Sequence, residues 1–573
     1  MYSVKFLLGL LACLQLGLAQ NESEITSHDT PTTFSSRVNL VVVPVVVRDR
    51  DGKAVGGLKQ EDFQLFDKGK PQIISKFSIE TTLGAPQNQA AIQGNAAGNG
   101  NRQPSETTPS VVAALPSRFL LYLFDDVHLE FGDLAQARTA ALKYLSRSLG
   151  SGDRVAIFTT SGQGMLDFTD DREKIREALM RLQPRPIARS SGTDCPEMTY
   201  YMADLIQNKN DLQAVQAAIQ DTIICAELVT VPGMPPPTAQ AEQIARGTAS
   251  RWLSQGDTES KVALSVLKNA VLRLSSMPGQ RTLVLVSPGF LVMNYRPEES
   301  EILDKAGRAG ITISGIDARG LDARPPGDIT STFHNIQTDF IKERFRRDSE
   351  LAAADLLGEL AAGTGGTWFH NNNDMNAGFD RTSSAPEFRY LLGFSPQSLK
   401  NDGSFHALKV TLKESKGLNL QARRGYYAPR HDTDAAEEIK EEIRDAMFSR
   451  NELLGIGMDL ETQFFKPSDE KARLSVLARV DLKPLHFRKV DGRNRDTLTI
   501  VWGVFDRNGN WITGISKTLE MRLREDTFAA RLASGITVKS NFDVTPGSYV
   551  IRVVVRDTEG QLMAARNGAI EIP

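Results

Sequence analysis

From residue 118 onward, short apolar runs alternate with amphipathic stretches, and nothing else in the chain restricts the fold as strongly. RFLLYLFD has no charged side chain between its first and last residues, the mark of a strand buried on both faces. DLAQARTAALKYLSRSL follows with helical spacing and stops at Gly150. DRVAIFTTS and GMLDFT read as a strand pair, and DDREKIREALMRL as a helix. RTLVLVSPGF, EESEILDKAGRAG, ITISGIDARG, LAAADLLGELAAGTGG and TWFH then continue strand, helix, strand, helix, strand. Such alternation implies right-handed crossovers and an α/β class with a doubly wound, mostly parallel sheet.

The flanks have a different rhythm. VNLVVVPVVVRD, EDFQLFDKGK and PQIISKFSIE are strand-like, and Pro44 points to an edge or a bulge. Three strands in 36–80 cannot hide an apolar face alone, so they are expected to pair with EFRYLLGFSP, SFHALKVTLKES and LNLQARRGYYAP in 386–430 as one sandwich. Between them lie a Gly/Asn/Gln/Pro-rich linker at 81–117 and the α/β unit at 118–385. The unit carries an insertion at 185–278 with helical stretches near 199–224, 239–254 and 258–276. A charged helical linker at 431–456 leads to alternating strands at 457–573, expected to form a second β-sandwich.

MYSVKFLLGLLACLQLGLAQ opens the chain with a basic residue, a short apolar core and small residues at 17–19, as a secretory signal over 1–19 does. The core is too short to span a bilayer. Leu10-Leu11-Ala12-Cys13 also fits a lipoprotein signal, which would tether the protein at Cys13. Export to the periplasm, cell surface or medium is the expectation, with no transmembrane segment. Removing the signal leaves Cys195 and Cys225, an even pair in an oxidising compartment, and hence a disulfide. The net charge of −3 favours neither nucleic acid nor an anionic membrane as partner.

The strand ending in Asp125, GDRVAIFTTS, FTDDREKI and RTLVLVSPGF resemble the corresponding parts of a von Willebrand factor type A domain. The whole of 36–428 resembles the secreted bacterial VWFA-related domain proteins frequent in Acidobacteria. VVVRDRDGKAVGGLKQEDFQLFDKGK, PGQRTLVLVSPGF, GIDARGL and ARRGYYAP occur in the order found there. The resemblance implies a Rossmann-like fold and a role in binding or adhesion.

It also implies a place for a metal-ion-dependent adhesion site, which in that family uses Asp-x-Ser-x-Ser, a loop threonine and Thr-Asp-Gly to hold Mg²⁺. Here the aspartate matches Asp125 and the threonine Thr169. The serine positions become Val127 and Leu129, and the last motif becomes Ser287-Pro288-Gly289. The site is degenerate, and weak Mg²⁺ binding is the most it implies; no other cofactor is indicated. Asp125 is expected to stay near Thr169 and Ser287 as a structural acceptor. A frame shifted by one residue, Asp126-Val127-His128-Leu129-Glu130, would suit a softer ion, while the plainer reading has Asp126 capping the following helix or turn with His128 and Glu130 solvated. Ser287 and Asp317 also stand where strands stop.

No HExxH, GxSxG or phosphate-loop motif occurs. Ser265 and Lys268 fit S-x-x-K inside an ordinary amphipathic helix. EEIKEEIR reads as a solvated helix face. Arg423, Arg424, Tyr426 and Tyr427 are either core alternation or a contact patch. The expectation is an exported, non-enzymatic protein that binds another protein, with an envelope hydrolase or a structural envelope component as alternatives.

Overall fold

The computed structural model describes residues 24–31, 41–81, 116, 118–186, 195–228, 235–293, 295–321, 336–396, 404–414, 417–428, 435–448 and 453–573. The signal segment with Cys13 and nearly all of the linker at 81–117 lie outside them.

RFLLYLF forms a strand, Arg118–Phe124, with every residue buried. It is central in a six-stranded sheet ordered Trp368–Phe369, Ile311–Ile316, Gln280–Val286, Arg118–Phe124, Asp153–Thr159 and Leu166–Thr169. Alternate residues serve opposite faces. Phe119, Leu121 and Leu123 pack with Leu267 and Val271 of the helix Thr238–Ser275. Leu120, Tyr122 and Phe124 pack with Leu134 and Leu145 of the helix Phe131–Ser148.

The expected fold class needs correction. Among the described residues four of the five sheets are antiparallel throughout, and the six-stranded sheet is mixed, because Leu166–Thr169 runs against its neighbour. The reason is connection length. A parallel return takes a dozen or more residues, and the short link after Thr159 permits only a hairpin. The strand–helix alternation also described one part of the chain, whereas most strands lie in the flanks and pair antiparallel.

Val41–Arg48 and Lys76–Thr81 pair with Phe388–Phe394, while Phe63–Asp67 pairs with Phe405–Leu412. The two four-stranded sheets share a core of Val43, Val45, Leu65, Tyr390, Leu392 and Phe394. In the C-terminal part a seven-stranded and a three-stranded sheet share a second core containing Leu474, Val476, Trp502 and Val553. One strand of the larger sheet is Ile25–Pro31, which lies antiparallel to Trp511–Leu523. The helix Ala435–Phe448, with the charged run inside it, buries Ile443, Met447 and Phe448 against the outer face of that sheet. The turn after Asp506 reaches the lower end of the mixed sheet, where Arg507 Nη2 donates to both Asp170 oxygens at 3.1 Å.

The insertion differs in detail from its expected helices. The first stretch is two helices, Tyr200–Gln207 and Leu212–Cys225, and the last two are one continuous helix. Gly256 lies between the two expected stretches, inside that helix. It is a packing glycine, since a Cβ would lie 2.2 Å from the Tyr200 ring. Cys195 and Cys225 are disulfide-bonded with Cα atoms 5.7 Å apart, tying the entry of this region to the end of its second helix. No described helix is long and apolar enough to cross a membrane.

Candidate functional site

Parallel strands deliver their C-terminal ends to one rim, and here that rim gathers three polar strand ends. Asp125 follows Phe124, Thr160 follows Thr159, and Ser287 follows Val286, and these strand ends are directly registered. Asp125 is fully buried. Thr160 Oγ1 donates to its Oδ1 at 2.7 Å and Ser287 Oγ to its Oδ2 at 2.6 Å. His128 Nδ1 lies 2.9 Å from Oδ1 and 3.0 Å from Oδ2, and the His128 backbone N–H adds a longer contact of 3.3 Å. Both carboxylate oxygens are therefore engaged by the protein's own donors.

Burial alone would raise the Asp125 carboxyl, but the His128 charge and the bonds from His128, Ser287 and Thr160 outweigh it and hold Asp125 below its usual range. For His128 burial works against the charge, and Asp125 reverses it, so the imidazole sits above its ordinary value. The ring stacks on Phe290 at 5.4 Å between centroids, with the planes 14° apart. Nδ1 being taken, Nε2 is the ring nitrogen left for the adjoining cavity of about 720 Å³, which His128 lines with Glu130, Glu259, Phe290, Arg319 and Leu321.

Two expectations fail here. Thr169 is not beside Asp125. It is registered opposite Val155, towards the other end of the sheet, and its Oγ1 accepts from the Asp171 N–H at 3.1 Å. Because its strand is the return arm of a hairpin, its last residue points away from the rim, and Thr160 takes the role. Nor does Asp126 cap the next helix: it accepts from Ser161 N at 2.8 Å and Ser161 Oγ at 2.6 Å. Burial is the largest influence on its carboxyl and leaves it raised despite those bonds.

The shifted ligand frame comes apart for the same reasons. Asp126 turns to Ser161 and His128 to Asp125, while Glu130 is exposed at the start of the helix Phe131–Ser148 and makes no capping bond. Among the described residues no three His, Cys, Asp or Glu side chains form a group that would hold a metal. Asp317 is at the rim but is bound by Arg319, with Nη2 at 2.8 Å and Nε at 3.0 Å.

The proposed contact patch is also partly interior. Arg423 is buried, which lowers it to about 10, and Tyr426 donates to Asp67 at 2.8 Å. Lys268 pairs with Glu301 at 2.8 Å. The residues missed from sequence are Thr160, Ser161, Glu259, Phe290 and Arg319. The hydroxyl run Thr159-Thr160-Ser161 ending a buried strand was the available signal for the first two.

No protein-family model matches the chain, and no curated protein matches it. Among solved structures, similarity is found to a calcium-binding mutant of Bacteroides uniformis beta-glucuronidase 2 at 15% identity and a TM-score of 0.14, covering 20% of this chain and 13% of that one. A Bacteroides uniformis beta-glucuronidase matches at 12% identity over 32% of this chain and 19% of its own, TM-score 0.14. A Kluyveromyces marxianus beta-glucosidase in complex with glucose matches at 10% identity over 55% and 34%, TM-score 0.12. The chain thus spans a minor part of each, and overlaps this poor carry no argument about fold or activity.

Proposed function

We propose that the protein is exported and acts by binding another protein, with the cavity above Asp125 and the inserted helices as its contact surface. The observation that carries this reading is the state of Asp125. Its oxygens accept from Thr160, Ser287 and His128, so the rim is built as an internally bonded platform rather than as an open cation site. Leu321 of the cavity wall is 54% exposed, and Phe131 and Leu351, next in sequence to the lining residues Glu130 and Glu350, are 70% and 68% exposed, the kind of apolar surface that a partner covers. The N-terminal sequence and the Cys195–Cys225 bond support export. The resemblance to secreted VWFA-related proteins supports the same reading from the sequence side.

Photo-crosslinking in the native envelope tests it. A crosslinker at Leu321 should give a discrete protein adduct, and one at Arg507, by the far end of the sheet, should not. Equal labelling from both positions, or none from Leu321, would overturn the reading.

A second reading rests on one specific contact. A buried carboxylate bonded to Nδ1, with Nε2 left for a cavity, is how hydrolases orient a general base. Turnover of ester, amide or glycoside substrates, abolished in His128→Ala, would establish it.

A further inference from the structure

Arg423 lies between the strands Asn419–Ala422 and Gly425–Tyr427, where the N-terminal sandwich meets the helices of the mixed-sheet unit, and it is 5% exposed. Its backbone passes Gly365, just after the helix Ile336–Thr364, where an added Cβ would lie 3.0 Å from the Arg423 nitrogen. Its guanidinium lies along the last turn of the helix Arg296–Arg308, and a Cβ on Gly307 would be 2.5 Å from Nη1. The side chain is thus held between two helices of the other unit.

Its charge is not balanced there. Among the described residues none accepts a hydrogen bond from Arg423 or pairs with it, and its Nε is buried without a partner. Asp304 is the carboxylate whose charge acts on it, yet both Asp304 oxygens are 3.0 Å from Nε of Arg308. Arg308 Nη1 is also buried without a partner. Two guanidinium groups therefore share one carboxylate, and positive charge is in excess. Burial above all, with some help from the Arg308 charge, lowers Arg423 to about 10, which still leaves it protonated at neutral pH. A buried charge in that state is costly unless something pairs it.

We propose that Arg423 and Arg308 bind a small oxyanion of the phosphate or sulfate class. The planar guanidinium fork matches two oxygens of such an anion, a fit that a halide does not offer. The other cations of this corner are committed: Lys305 pairs with Glu301 at 3.6 Å, and Arg389 Nη2 donates to the Gly310 carbonyl at 3.2 Å. The Arg308 and Asp304 side chains are 21% and 30% exposed, so the anion enters from solvent beside them. Once bound, it fastens the sandwich to the helix Arg296–Arg308. That helix leads into the start of the strand Ile311–Ile316, whose other end reaches the rim at Asp317, so the site is separate from Asp125.

Calorimetry and thermal melts of the full mature chain decide the matter, with sodium phosphate and sodium sulfate as probes against sodium chloride at equal ionic strength. The expected result is one phosphate bound per chain and a Tm that rises with phosphate beyond the chloride control. Arg423→Met puts an apolar chain in place of the charge, and should abolish binding without lowering the Tm in chloride. Arg308→Gln should weaken binding by about tenfold or more, because a charge-assisted bond is lost and Asp304 is freed to pair with Arg423. Asp304→Asn removes the competing carboxylate and should tighten binding severalfold. Phosphate and sulfate also stabilise folded chains generally, by exclusion from their surface. A Tm gain equal in the wild type and Arg423→Met would be that effect and would overturn the proposal, as would a wild type that takes up no phosphate. Should Arg423→Met fail to fold, Asp304→Asn decides alone: binding unchanged or weakened there would count against the site.

Discussion

His128 Nδ1 sits 2.9 and 3.0 Å from the two carboxylate oxygens of the fully buried Asp125, so one imidazole N–H faces both. Burial opposes the charge on both groups, and their contact outweighs it in each, holding Asp125 below its ordinary value and His128 above it.

The histidine should titrate above its unperturbed value of 6.5, because Asp125 overcomes the effect of burial. Stability from the raised histidine is fully present below 6.5 and is lost as pH rises through the folded value. Stability from the lowered Asp125 is present above 3.8 and is lost as pH falls through its folded value. NMR titration of the His128 ring checks this. A midpoint at or below 6.5, or one that does not fall in Asp125→Asn, would be against it.

Thr160 and Thr169 make a discriminating pair of substitutions. Thr160→Val removes the donor to Asp125 while keeping the shape, and should destabilise by about 1–3 kcal/mol. Thr169→Val should leave the rim intact. Denaturant melts give the answer; equal effects from the two would mean that the hydroxyl on Asp125 is misassigned.

Mg²⁺ should bind the rim weakly, since Asp125 already accepts from two hydroxyls and an imidazole and a hard octahedral ion would have to displace them. Calorimetry should show at best millimolar affinity at this site. Micromolar binding lost in Asp125→Ala would refute it.

The Cys195–Cys225 bond closes a separation of 30 residues. Chain entropy assigns such a loop roughly 3–4 kcal/mol. Free-thiol labelling of the native protein should find neither cysteine. The double Ala variant should speed hydrogen exchange in Tyr200–Gln207 and Leu212–Cys225 more than in the mixed sheet; a uniform change would argue against a local role.

The Asp496 carboxyl is pushed up to about 7 by burial and by the Asp557 charge. For a raised carboxyl, its contribution is full below 3.8 and is lost as pH rises through about 7. Melts between those limits should therefore show falling stability, and Asp496→Asn should flatten the curve. A wild-type curve already flat there would sink the assignment.

Which parts were legible follows from which signals are local. Arg118–Phe124 could be read because burial on both faces leaves an unbroken apolar run, and Asp125 because the run stops at it. The choice between Thr160 and Thr169 depends on strand direction, which is set by a short link and not by the residues of the strand. Gly256 is a helix breaker by propensity, yet the Tyr200 ring needs the space, a contact between distant segments. Ile25–Pro31 escaped notice because ITSHDTP has no apolar alternation; its place comes from backbone pairing with Trp511–Leu523.

That last pairing has a consequence for self-association. Trp511–Leu523 is 13 residues long, and Ile25–Pro31 covers part of its outer edge. Clipped of its first 31 residues, the protein would expose a row of free amides and carbonyls there, the template on which edge-to-edge pairing begins. Two such chains should pair through that edge, or one intact copy should lend its segment to a clipped neighbour. The N-terminal strand is thus a guard against aggregation, and light scattering on the clipped chain should reveal larger species that a synthetic ITSHDTP peptide suppresses.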